Sequence, residues 1–233
     1  PDLAMTGTLN GAFELAGSKA APSASLTLHG KNLAVRGASE QPADLTLKAA
    51  WQNGRVEGKG RLVLNGSSAL EVTAAVPVGA DASGFPVFSD TTPLQAEAKG
   101  RVDLGLLNAF IPGGADHVAG HADVALTANG SLAQPELAGS VDLVDGRYEN
   151  QRYGTRLRQI AAHIEGAGTS LKITALSAKT PGGGKLAGGG AIDFGAGAPV
   201  ELKLTMNRAR MIDAPIGTAV TSGDLVLQGS LRA

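Results

Sequence analysis

Alternation with a period of two runs through almost the whole chain, and it limits what the chain can fold into more than any other feature. In residues 118–128, Val118, Gly120, Ala122, Val124, Leu126 and Ala128 are small or apolar, and Ala119, His121, Asp123, Ala125 and Thr127 lie between them. The rhythm recurs in Leu45, Leu47, Ala49, Trp51, in Leu70, Val72, Ala74, Val76, and in Leu94, Ala96, Ala98, Gly100, Val102. It returns in Leu186, Gly188, Gly190, Ile192, Phe194, in Val200, Leu202, Leu204, Met206, and in Leu225, Leu227, Gly229, Leu231. Successive side chains of a strand point to opposite faces, so each segment has one apolar and one polar face. No crossover helices separate the runs, so the expected sheet is antiparallel.

Turn signals punctuate the runs. Asn10-Gly11, Asn53-Gly54, Asn65-Gly66, Asn129-Gly130 and Asp145-Gly146 suit the two positive φ values of a type I′ hairpin turn. Gly182–Gly184 reads as a hairpin loop. One helical exception, Leu104–Ile111, carries Leu104, Leu107, Phe110 and Ile111 on one face ahead of Pro112-Gly113-Gly114. It predicts about two helical turns capping one end of a sheet. Residues 77–93 hold three prolines and two glycines without alternation and read as a connection. They divide the chain into a unit over 1–76 and a second over 94–233.

An apolar sheet face must be buried. No amphipathic helix of useful length is present to cover it. A packed sandwich, a closed barrel and a trough that holds something else all satisfy the pattern. With five Phe, two Tyr and one Trp, the apolar face is aliphatic and small-residued, with few polar groups to orient a polar metabolite. An acyl chain asks for no such groups, and each methylene it buries is worth about 0.8 kcal/mol.

Composition and motifs exclude much else. Lys+Arg is 20 against Asp+Glu 21, without the basic excess of a nucleic-acid binder. There is no cysteine, hence no disulfide, thiol nucleophile or cysteine-ligated metal. His117 and His121 lie about 13 Å apart if they share a strand, too far to share an ion. In Pro181-Gly182-Gly183-Gly184-Lys185 the lysine is followed by Leu186, not Ser or Thr, and by a strand pattern, so the phosphate-loop mechanism fails. No Gly-x-Ser-x-Gly elbow occurs. The reading is non-enzymatic, with no cofactor or metal. Arg147, Arg152, Arg156 and Arg158 form the one basic cluster. Arg152, Arg156 and Arg158 share a parity and become candidates for phosphate headgroup contact at a trough edge.

The chain opens on Pro1, has no signal peptide and reads as a piece of something larger. The stretch Gly100–Gly166, with Gly130-Ser131-Leu132, Pro135, Gly139 and Asp145-Gly146-Arg147-Tyr148, resembles the C-terminal region of the TamB family of AsmA-like proteins, subunits of the translocation and assembly module. Leu171–Phe194 is similar to the same family's strand, loop and Gly-rich strand. The resemblance covers about 94–233 and extends to 1–76 only in style. It implies an elongated antiparallel sheet curled into a hydrophobic trough, in the periplasm of a Gram-negative bacterium. It implies an inner-membrane anchor through an N-terminal helix that is absent here, and an outer-membrane barrel partner, TamA. It further implies roles in outer-membrane assembly and phospholipid movement between membranes. Parity within this chain then nominates Val118, Val124, Leu126, Leu137, Val141, Leu143, Ile160, Ile164, Ile173, Leu186, Ile192, Phe194, Leu202 and Leu204 to face the acyl chains. A scaffold that templates client strands at its sheet edges is the competing expectation.

Overall fold

A computed structural model describes residues 5–18, 21–35, 42–64, 68–80, 86–109, 111, 114–195 and 197–230. The strands are β1 (Met5–Ser18), β2 (Ala21–Val35), β3 (Ala43–Gln52), β4 (Arg55–Leu64), β5 (Ser68–Pro77), β6 (Gly79–Ala80), β7 (Pro86–Val87) and β8 (Gln95–Asp103). They continue as β9 (Asp116–Gly130), β10 (Pro135–Asn150), β11 (Thr155–Gly168), β12 (Ser170–Lys179), β13 (Lys185–Asp193), β14 (Pro199–Ala214) and β15 (Gly217–Ser230). All except β6 and β7, which pair with each other, form one 13-stranded antiparallel sheet whose spatial order is the chain order. The sheet is curled and does not close, and β1 and β15 border it.

The register converts sequence alternation into whole faces. Residues directly opposite across an antiparallel ladder share a face. One row crosses all thirteen strands: Leu9, Gly30, Leu45, Leu62, Leu70, Gly100, Val124, Val141, Ile164, Ile173, Gly190, Leu202 and Leu227. Every member is aliphatic or glycine. The next row on that face runs from Gly11 through Leu28, Leu47, Gly60, Val72, Ala98, Leu126, Gly139, Gly166, Leu171, Ile192 and Val200 to Gly229, with the same property. The row between them points the other way. It includes Asn10, His29, Thr46, Arg61, Glu71, Lys99, Ser140, Glu165, Lys172 and Glu201.

The apolar face is the concave one where the curl is tightest. Leu157 and Ile160 of β11, Ala178 of β12, Leu186 of β13 and Met206, Ala209 and Met211 of β14 converge in one cluster. β-Bulges lie along the approach to this end. Extra residues enter β10 between Leu143 and Gly146, β11 between Arg158 and Ala161, β12 between Ile173 and Leu176, and β14 between Met206 and Ala209. Asp145, Gln159 and Arg208 adopt left-handed φ values of 51°, 51° and 49° there. A bulge bends its strand and raises the local twist, so four in five neighbouring strands roll the sheet inward. A second cluster, Trp51, Val76 and Val78 with Ala24, Val56 and Leu94, sits at the opposite end and in the opposite half of the sheet.

Several sequence expectations are corrected here. Of the four turn signals among the described residues, Asn53-Gly54 alone is a two-residue hairpin turn, with φ 50° and 67°. Asn10-Gly11 lies inside β1, opposite His29 and Leu28. Asn129-Gly130 ends β9 ahead of a longer connection through Ser131–Gln134, and Asp145-Gly146 forms the β10 bulge. A bulge and a type I′ turn both demand left-handed backbone, so the dipeptide alone does not distinguish them. Asn65-Gly66 lies outside the described residues. The helical signal gives a six-residue 3-10 helix, Leu104–Ala109, rather than a helix to Ile111. Asn108 holds it to β9, donating from Nδ2 to the Val118 carbonyl and accepting from the Val118 amide. Gly182–Gly184 is the expected hairpin loop between β12 and β13. The connection over 77–93 carries β6 and β7, but the sheet does not break there, because β5 pairs directly with β8 from Leu70↔Gly100 to Ala75↔Gln95.

Candidate functional site

The candidate site is the apolar face between the two end clusters. Thirteen of the fourteen residues nominated from parity lie on β9–β14 and share this face, through pairs such as Leu126↔Gly139, Leu143↔Ala162, Leu186↔Met206 and Gly188↔Leu204. Phe194 follows the end of β13, where its amide donates to the Thr169 carbonyl. The sequence reading missed the N-terminal half of the face. Leu28, Leu45, Leu47, Leu62 and Val72 continue the same rows. Their alternation was visible, but the proline-rich connection hid the pairing of β5 with β8.

The face is incompletely covered. Val124, Val141, Ile164, Ile173 and Leu202 are half-buried, and no large described side chain is fully buried. A packed sandwich would bury such a central row on both sides. The accessible surface is 14031 Å². A compact protein of this mass exposes about 9,700 Å². The excess is the signature of an open sheet with an unpartnered face. Glycines keep part of the groove shallow. A Cβ on Gly190 would stand 2.2 Å from the Glu201 carbonyl oxygen, and one on Gly188 at 2.2 Å from that of Lys203.

The two ends of the groove differ from its middle. At the bulged end, the Thr155 hydroxyl donates to the Met211 carbonyl at 2.6 Å, and the Asp213 amide donates to the Tyr153 carbonyl at 3.0 Å. These bonds join β11 to β14 across two intervening strands and pinch the groove shut, and Ala209 beneath them is fully buried. At the other end, Trp51 is 7% exposed and the Val78 amide donates to the Gly54 carbonyl, folding the exit of β5 over the β3–β4 turn.

The polar face carries the ionic contacts. Arg101 forms a forked pair with Asp123, Nε to Oδ1 at 2.6 Å and Nη2 to Oδ2 at 2.9 Å. This hydrogen-bonded pair holds the Asp123 carboxyl below its ordinary range and raises the guanidinium further. His163 lies between Asp142, 2.5 Å from Nδ1, and Glu165, 3.2 Å from Nε2. The bond to Asp142 raises its pKa. On the apolar face instead, at the bulged end and beside Val118, Asp116 accepts from the Tyr148 hydroxyl at 2.5 Å and from Asn150 Nδ2 at 2.7 Å, and its pKa is lowered by those donors. Among the described residues no group of three His, Asp or Glu side chains is placed to hold a metal.

The arginine candidates separate. Arg156 and Arg158 are exposed on the polar face of β11. Arg152 is not on a strand. It lies in the β10–β11 turn with its guanidinium 5.6 Å from the centroid of the Tyr153 ring, a cation–π contact. The shared parity expected of the three fails because the turn intervenes.

No known protein-family model, no curated protein and no solved structure matches the chain.

Proposed function

We propose that the chain is a non-enzymatic, lipid-shielding segment whose curled sheet carries phospholipid acyl chains along its apolar face. Two adjacent rows, each thirteen strands long and without a polar side chain, carry this reading. None of the described elements covers the face between its end clusters. An acyl chain is the ligand such a face suits, since it brings apolar area and demands no hydrogen bonds. The resemblance to the TamB family extends the proposal to its setting: a periplasmic segment of an inner-membrane-anchored protein, working with the barrel TamA in lipid movement and outer-membrane biogenesis.

Native mass spectrometry of the detergent-free protein tests the proposal. Co-purified phospholipid or fatty acid is expected, and Val124→Asp or Leu204→Arg is expected to abolish it. An unpaired charge in apolar surroundings costs several kcal/mol. A folded protein that is lipid-free as wild type would overturn the reading.

A second reading rests on the sheet borders. β1 and β15 are both 14 residues long and expose apolar side chains, including Leu9 at 61%, Phe13 at 67% and Leu227 at 48%. Long apolar edges template strand addition. Under that reading a proline in β15 abolishes client binding, while charges in the groove leave it unchanged.

A further inference from the structure

The convex face near the pinched end carries cations where a sheet ordinarily avoids them. Arg158 of β11 stands directly opposite Lys179 of β12, and Lys179 directly opposite Lys185 of β13. Arg147 of β10 borders the β11 bulge beside Arg158, because Gly146 pairs with Ile160 and Tyr148 with Leu157. All four side chains are exposed. None makes an ion pair or hydrogen bond among the described residues. Elsewhere on the polar face cations meet acids in Arg101–Asp123, Arg61–Glu71 and Lys203–Glu201, and where Lys48 stands opposite Lys59 the latter reaches Glu71 at 4.0 Å. Like charges placed opposite one another destabilise a sheet, and the chain as a whole has a net charge of −1. The band is therefore local and runs against the chain's own balance.

We infer that this band docks the pinched end of the sheet on an anionic membrane surface through lipid phosphates. Its layout selects the partner. The cations stand one per strand on four adjacent strands at about 4.8 Å spacing, spread over roughly 14 Å of the outer surface. A single small anion is held by donors that converge on one point, and cations spread along a ladder do not converge. A surface bearing many phosphates meets all four cations at once. Nucleic acid fits poorly, since among the described residues no aromatic lies between these cations on the strands as a stacking platform, and the exposed ring of Tyr153 in the β10–β11 turn is in contact with Arg152. The inference concerns the outer face and stands apart from the acyl groove.

Vesicle co-sedimentation of the full chain tests it. The protein is expected to bind phosphatidylcholine vesicles containing phosphatidylglycerol, to ignore phosphatidylcholine alone, and to release in high salt. R158S/K179S/K185S is expected to lower partitioning roughly a hundredfold, and K185S alone about fivefold. K203S, which removes a cation already paired with Glu201, is expected to leave binding unchanged. Circular dichroism and urea unfolding of the triple variant establish that it is folded; relief of repulsion predicts an unfolding midpoint no lower than wild type. Leu204→Arg is expected to keep vesicle binding even as it loses acyl cargo, so failure of the groove reading and failure of this one are separable. Equal binding to neutral vesicles, unaltered binding by the folded triple variant, displacement by inorganic phosphate alone, or preference for an oligonucleotide over the vesicles would overturn it.

Discussion

The Thr155 hydroxyl donates to the carbonyl of Met211, 56 residues later in the chain, and that bond marks where the curled sheet is pinched together between β11 and β14. Thr155 is buried, and its side chain lies on the same face as Leu157. The bond forms only because bulges in β10, β11, β12 and β14 roll the intervening strands inward. Thr155→Val keeps the shape and removes the donor. It is expected to cost about 1 kcal/mol in urea unfolding. Faster hydrogen exchange at the neighbouring Asp213 amide would show that the pinch itself has opened.

The glycines of the apolar face separate into two kinds. Gly190 lies in a central strand, where an added Cβ meets the Glu201 carbonyl oxygen at 2.2 Å. Gly229 lies on the same face of the border strand β15, with nothing within 4 Å of an added Cβ. Gly190→Val is expected to destabilise by about 1–3 kcal/mol. Gly229→Val is expected to change stability by less than about 0.5 kcal/mol. Denaturant midpoints of the two variants read the difference directly.

The single tryptophan reports on the other end of the groove. Trp51 is packed with Val76 and Val78. Its emission is expected to be blue-shifted and protected from acrylamide. Trp51→Ala is expected to cost about 3–5 kcal/mol, as large-to-small changes at buried aromatic sites do. A red-shifted, readily quenched emission in the folded protein would contradict the packed end.

His163 gives the outer face a pH signature. The Asp142 carboxylate raises its pKa above the ordinary histidine value of 6.5. A raised folded value means that the stabilisation is fully present below pH 6.5 and fades as the pH rises through the folded pKa. His163→Gln is therefore expected to lower the unfolding midpoint at mildly acid pH and to change it less at alkaline pH. Asp116, on the opposite, apolar face, works in the opposite sense. The Tyr148 and Asn150 donors lower its pKa, so its contribution is present above the ordinary 3.8 and is lost as the pH falls through the lowered folded value. The side chains around His163 are exposed, and the effect is modest and salt-sensitive.

The antiparallel, all-β architecture and the inward parity of Val124, Val141, Ile164 and Leu202 were legible because strand periodicity is local and repeats in every segment. Three things were not. Asp145-Gly146 suits a turn and a bulge equally, since both ask for the same left-handed residue. The pairing of β5 with β8 depends on contacts across a connection that carries no alternation, so the continuity of Leu70 with Gly100 could not be read from either segment alone. Arg152 shares the sequence parity of Arg156 and Arg158, and the turn over residues 151–154 that separates it from them has no Asn-Gly signature. The cationic band needed the register as well. Lys179 and Lys185 are six residues apart in sequence and become direct neighbours only when β12 and β13 pair.

The most direct test of the central claim is site-specific photocrosslinking along one cross-strand pair of rows in the presence of phospholipid. Benzoylphenylalanine at Val141 and Ile164, which face the groove, is expected to capture lipid. The same probe at Ser140 and Glu165, their chain neighbours on the outer face, is expected to capture none. Lipid captured from the inner positions alone would establish the apolar face as the acyl-bearing surface. Capture from both faces alike, or from neither, would contradict it.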